Sequence, residues 1–139
     1  MRYARWQSSL ETGDREVDNQ HRALYELVND LNASAVLSRG HKGEGEALGR
    51  IVSYALHHFS SEEALMRRYD YPGLGEHSAA HAEFAEAAEG LVAAHFVGTG
   101  RSMRELAEFM EEWLETHITR FDQPMVEFVR AAQAEDADA

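Results

Sequence analysis

Four apolar stripes at helical spacing run along this chain, and ionisable residues stand inside them. Val17, His21, Leu24, Val28, Leu31 and Ala35 form the first, and Ile51, Ala55, His58, Glu62, Leu65 and Tyr69 the second. His77, His81, Phe84, Ala88, Leu91 and His95 form the third, and Met103, Leu106, Met110, Leu114, His117 and Phe121 the fourth. Alternating steps of three and four residues hold each set on one helical face. No segment keeps the period-2 alternation of a half-buried strand. SRGHKGEGE (38–46), YDYPGLG (69–75) and VGTGRS (97–102) interrupt the pattern. Helical segments are therefore expected at about 17–37, 47–69, 75–96 and 102–122.

The expected fold is all-α: an antiparallel up-down-up-down four-helix bundle with an N-terminal arm and a short C-terminal helix or tail. Residues 1–139 are read as a single domain, with the bundle at about 17–122. Ser102 with Glu105 is a capping box that opens the fourth segment. Pro124 is expected to end that segment, since it lacks an N–H and clashes with the preceding turn. The acidic tail AAQAEDADA is expected to fray.

Charge narrows the partners. Thirteen Lys and Arg against 25 Asp and Glu give a formal net charge of −12, which opposes binding to nucleic acid or an anionic membrane. The absence of cysteine removes disulfides, thiolate metal sites and Cys nucleophiles. MRYARWQSSL lacks the apolar run of a signal peptide, and no membrane-length apolar run follows. A cytoplasmic protein without membrane insertion is expected. The chain has eight histidines, and six of them fall within the stripes.

HHFSSEEALM (57–66) shows how the stripes sort such residues. Ser60 and Glu63 have capping-box spacing, but a helix starting there would cut the stripe from Ile51 to Tyr69 in half. His58 and Glu62 are in phase with that stripe and face inward. His57 and Glu63 fall beside it and face outward, where Glu63 can pair with Arg67 at i+4.

A buried carboxylate must protonate, pair with a cation or bind a metal, and the stripes hold no Lys or Arg for Glu62. In an up-down-up-down bundle, His21, His58, Glu62, His77, His81, His117 and Asp122 all lie toward one end. One inward histidine is ordinarily a hydrogen-bonded core residue, but seven such groups at one level are hard to satisfy without a cation. His95 shares the stripe of His81 but lies 14 residues further on, about 21 Å at a rise of about 1.5 Å per residue. It is expected near the far end, outside the cluster, and His41 is expected to be solvated in the Gly-rich loop.

Imidazole and carboxylate donors without sulfur suit Fe, Mn, Zn, Cu or Ni. Seven ligands are too many for one ion and match two ions bridged by two carboxylates. The five-residue step from His117 to Asp122 is roughly 140° off one face of an α-helix. Asp122 is therefore expected to reach the cluster from a loosened last turn before Pro124.

The segments WQSSLETGDREVDNQH, HFSSEEALM, YPGLGEHSAAH and WLETHITRFD span most of the chain. One His, then HxxxE, HxxxH and HxxxxD in this order make the sequence resemble the hemerythrins, in particular the single-domain bacterial ones. The resemblance implies a four-helix bundle, a fold associated with this family, and a non-haem centre of two iron ions (Fe2+/Fe3+). It implies that His77, His81 and His117 hold one iron. His21 and His58 would hold the other, which keeps an open position for O2. Glu62 and Asp122 would bridge the two ions together with an oxo or hydroxo group. Phe59, Trp113, Leu114 and Ile118 neighbour these residues on their helices and are candidate walls of the O2 pocket as well as ordinary core.

Reversible O2 binding, for storage, delivery or local supply to an O2-consuming recipient protein, is the expected function, rather than an enzyme activity. The alternatives are a di-iron enzyme that consumes peroxide or nitric oxide, a ferroxidase, an O2 or redox sensor acting through a partner, and a structural bundle holding zinc. No inward tyrosine, cysteine or further carboxylate stands out as a relay, which ranks the enzyme reading lower. Surface charge does not define an oligomeric state.

Overall fold

The computed structural model describes residues 4–138. Helix α1 spans Arg15–Val36, α2 Gly40–Arg68, α3 Leu74–Phe96 and α4 Met103–His117. A π-helical turn follows at Ile118–Asp122, and α5 continues from it at Gln123–Asp138. There is no strand among the described residues. Helix α1 packs against α2 and α4, and α2 packs against α3, which gives the expected antiparallel four-helix bundle.

Local chemistry sets the helix starts. Asp14 caps α1 by accepting from the Val17 N–H, and Ser102 caps α4 by accepting from the Glu105 N–H. Glu105 also meets Ser102 through its carboxylate, which accepts from the Ser102 hydroxyl at 3.1 Å, so the two residues pair through their side chains. Gly98 ends the turn after α3 at φ +77°, a conformation that glycine adopts without a Cβ penalty.

Three boundaries differ from the sequence reading. The Gly-rich stretch is not a long loop, because α2 begins at Gly40 and extends its apolar face back to Ala47 and Leu48 in the core. Pro124 does not end the fourth segment, since it lies in the first turn of α5, where a missing N–H is tolerated. The acidic tail is helical to Asp138 rather than frayed. Its start is anchored by Met125, Val126 and Val129, which pack with Val17 and Met66.

The N-terminal arm is tied to the bundle. Ala4 exchanges two hydrogen bonds with the Asn29 side chain, and Gln123 donates to the carbonyls of Ser9 and Glu11. The apolar core forms two clusters. The larger one includes Leu24, Phe59, Phe84, Leu114 and Ile118, and the smaller one gathers Val17, Met66, Met125, Val126 and Val129. A layer of buried polar residues lies between them. No helix among the described residues is long and apolar enough to cross a membrane.

Candidate metal centre

That polar layer consists of His21 from α1, His58 and Glu62 from α2, His77 and His81 from α3, His117 from α4 and Asp122 from the π-turn. All seven are 3% exposed or less. Their donor atoms form two overlapping groups, each with all atoms within 4.8 Å of one another. Glu62, His77, His81, His117 and Asp122 make one group, and His21, His58, Glu62 and Asp122 the other. The two carboxylates belong to both.

The π-turn explains how Asp122 gets there. An α-helix would carry it well off the His117 face, whereas the i→i+5 bonding of a π-turn absorbs one extra residue. The Gln123 N–H reaches the Ile118 carbonyl, and Asp122 Oδ1 comes to 3.2 Å from His117 Nε2. Thr119 supports the transition by donating its hydroxyl to the carbonyls of Glu115 and Thr116. The sequence predicts that Asp122 arrives from a helix loosened at its end. It arrives instead from a bulge inside a helical run that continues past Pro124.

The donors do not satisfy one another. The His21 and His58 Nε2 atoms are 3.1 Å apart, and His117 Nε2 is 3.1 Å from both His77 Nε2 and His81 Nε2. Asp122 lies 2.9 Å from both His21 Nε2 and His77 Nε2. Even so, both Asp122 oxygens and Glu62 Oε2 lack a partner with hydrogen-bond geometry. His81 Nδ1 faces Glu63 Oε2 at 3.0 Å and His58 Nδ1 faces Gln20 Oε1 at 2.5 Å. Oxygens can only accept, so each Nδ1 carries the proton. In the neutral rings, Nε2 then presents a lone pair inward, toward other lone pairs. Such an arrangement calls for cations, and the donor set fits metal ions that favour nitrogen and oxygen.

Without metal, protons take that place. Burial alone would depress His21 and His77, but the adjoining Asp122 and Glu62 carboxylates override it and raise both to about 9. Burial pushes the Glu62 and Asp122 carboxyls up, but the surrounding imidazoles prevail and hold both below the usual carboxylate range. His117 is lowered, chiefly by burial.

The geometry agrees with a family match. The model of the hemerythrin HHE cation binding domain matches residues 12–129. This chain belongs to the hemerythrin family. Hemerythrin membership implies non-haem iron, and the buried cluster offers it histidine and carboxylate donors. A bacteriohemerythrin of Pseudomonas aeruginosa is 32% identical, over 97% of this chain and 87% of its own length. One from Stenotrophomonas maltophilia is also 32% identical, over 91% of this chain and 81% of its own. The crystal structure of a wild-type hemerythrin superposes with a TM-score of 0.84, covering 90% of this chain and 96% of that one at 24% identity.

The other sequence expectations divide. His57 is exposed, as its phase required. His95 lies outside the cluster, buried, and donates from Nε2 to the His41 carbonyl at 3.0 Å. His41 is exposed, but it lies in the first turn of α2 and stacks on His95 at 4.2 Å rather than hanging free in a loop. Phe59 stacks on His81 at 4.1 Å and Trp113 on His117 at 4.5 Å, while Leu114 and Ile118 are buried in the same core cluster.

Glu63 is the clearest correction. It does approach Arg67, at 3.6 Å, but it is half-buried and turned to His81 and to the Ser78 hydroxyl, 2.7 Å from Oε1. Tyr25 corrects the expectation of no inward tyrosine, since it is buried edge-on to Trp6. Gln20 carries no signal in the helical stripes. Its contact with His58 depends on how α1 meets α2, which no single-helix pattern encodes.

Proposed function

We propose that this protein binds O2 reversibly at a pair of iron ions held by the buried cluster. His77, His81 and His117 would hold one ion, and His21 and His58 the other. Glu62 and Asp122 would bridge them, with an oxo or hydroxo group completing the bridge. The single observation that supports this most is the sharing of Glu62 and Asp122 by two donor groups that hold three and two histidines. The group with fewer histidines leaves its ion a position for O2. When bound, ferrous ions supply electrons that O2 can take up and return.

The residues of this chain do the rest. Five neutral imidazoles against two carboxylates favour the ferric state less than a carboxylate-rich set, so return of the electrons stays accessible. Phe59 and Trp113 lie flat on His81 and His117, and with Leu114 and Ile118 they exclude water and the protons that would make oxidation irreversible. Storage, delivery or local supply of O2 is the role that fits such a site.

The test is O2 uptake by the anaerobically reduced, iron-loaded protein. One O2 taken up per two irons, without continuing consumption when a reductant is supplied, supports a carrier. Sustained consumption of O2, peroxide or nitric oxide under the same conditions supports a di-iron enzyme instead.

A further inference from the structure

The Nδ1 atoms of the five clustered histidines do not meet equivalent partners. His81 Nδ1 faces a carboxylate, Glu63 Oε2, at 3.0 Å. His58 Nδ1 faces a neutral amide oxygen, Gln20 Oε1, at 2.5 Å. The Nδ1 atoms of His21 and His77 have no hydrogen-bond partner. His81 belongs to the three-histidine group and His58 to the two-histidine group.

The Glu63 contact is a built one. Its other oxygen, Oε1, accepts from the Ser78 hydroxyl at 2.7 Å and lies 3.6 Å from the Arg67 guanidinium. Ser78 sits between His77 and His81 on α3, so the carboxylate is fixed against the same helix that carries the histidine it contacts. A carboxylate on the remote nitrogen of a metal-bound imidazole draws the N–H proton toward itself and makes the ring a stronger donor to the metal. A neutral amide fixes the ring orientation with a weaker effect of this kind.

Resting on the di-iron reading above, we propose that Glu63 and Gln20 are positioning residues that make the two iron positions electronically unlike. Glu63, through His81, favours the ferric state at the three-histidine position. Gln20, through His58, leaves the two-histidine position closer to ferrous. In the one-electron-oxidised pair, the ferric ion then resides on the Glu63 side and the ferrous ion on the side that has room for a ligand.

Two charge-changing, nearly isosteric variants test this in the iron-loaded protein: Glu63→Gln, which leaves an acceptor facing His81, and Gln20→Glu. The readouts are iron per chain, the one-electron reduction potential and the Mössbauer spectrum of the half-oxidised state. Outer partners of metal-bound histidines act at the tenfold level or above, and a tenfold change in a one-electron equilibrium is about 59 mV. The potential of Glu63→Gln is expected to rise by about that much. That of Gln20→Glu is expected to fall comparably, with the ferric character of the half-oxidised state spreading to the second site. Both variants should keep the iron content of the unmodified protein. Unchanged potentials and spectra in iron-replete variants overturn the proposal. Should Glu63→Gln lose iron, Gln20→Glu decides alone: a lowered potential supports the proposal and an unaltered one overturns it. Failure of the unmodified protein to hold two irons would instead overturn the di-iron reading itself, and is seen in the metal analysis before any potential is measured.

Discussion

Asp122 Oδ1 lies 3.2 Å from His117 Nε2 although five residues of helix advance separate them. The Ile118–Asp122 π-turn makes that contact, so the turn and the site are one structural feature. In a regular α-helix the same five-residue step would carry Asp122 roughly 140° away from the His117 face. Asp122→Asn, which keeps the helix and the shape, isolates the donor's contribution. It should retain helical content by circular dichroism while its iron affinity falls at least about tenfold. Full iron loading in Asp122→Asn would show that this carboxylate is not a ligand.

The metal-free protein should show a pH profile set by the same groups. His21 and His77 are raised from 6.5 to about 9. A raised folded value stabilises below the unfolded one and is lost as pH climbs. Stability should therefore decline between about pH 6.5 and about pH 9. Glu62 and Asp122 are depressed, so their contribution holds above the ordinary carboxylate range, around pH 4, and is lost in more acid solution. Thermal melts of the metal-free protein across pH test both limbs, and Asp122→Asn should flatten the alkaline one.

Protons and iron compete for this cluster. At neutral pH the metal-free His21 and His77 carry protons that metal binding must displace. Anaerobic loading with Fe(II) in weak buffer should release protons, and iron affinity should weaken as pH is lowered. Loading without acidification of the medium would contradict the protonated resting state.

The stacked aromatic walls should govern how long an oxygenated form survives. Trp113 is half-buried and lies parallel to His117 at 4.5 Å. Trp113→Leu keeps an apolar side chain but removes the stack and opens a path for water. Autoxidation, followed optically, should accelerate severalfold with iron content unchanged. An unaltered rate would assign Trp113 to packing alone.

The C-terminal helix should matter in proportion to its burial. Met125 is fully buried beside Val17 and Met66, and Met125→Ala should cost about 2–5 kcal/mol in chemical denaturation. Truncation after residue 133 discards acidic and alanine positions, of which 134–137 are exposed, and should leave the midpoint nearly unchanged.

What the sequence made legible follows from periodicity. His21, His58, Glu62, His77, His81 and His117 stand in phase with apolar neighbours, so a bundle brings them together. Asp122 is out of phase, and residue types alone do not announce a π-turn. Pro124 misled for a related reason: proline stops a helix interior but is accepted in a first turn, and the bulge creates a new first turn in mid-run. The phase of Glu63 predicts a surface position. Its phase is indeed off the core, but α3 passes close enough for His81 and Ser78 to claim it. Gln20 depends in the same way on the pairing of two helices.

The most direct test of the account is optical. The iron-loaded protein is reduced anaerobically, and its visible spectrum is followed while O2 is admitted and then swept out with argon. A coloured species that forms with O2, fades under argon and returns over repeated cycles is the predicted result. Prompt, irreversible conversion to a diferric form would contradict a reversible carrier and assign the site to oxidative or redox-sensing chemistry.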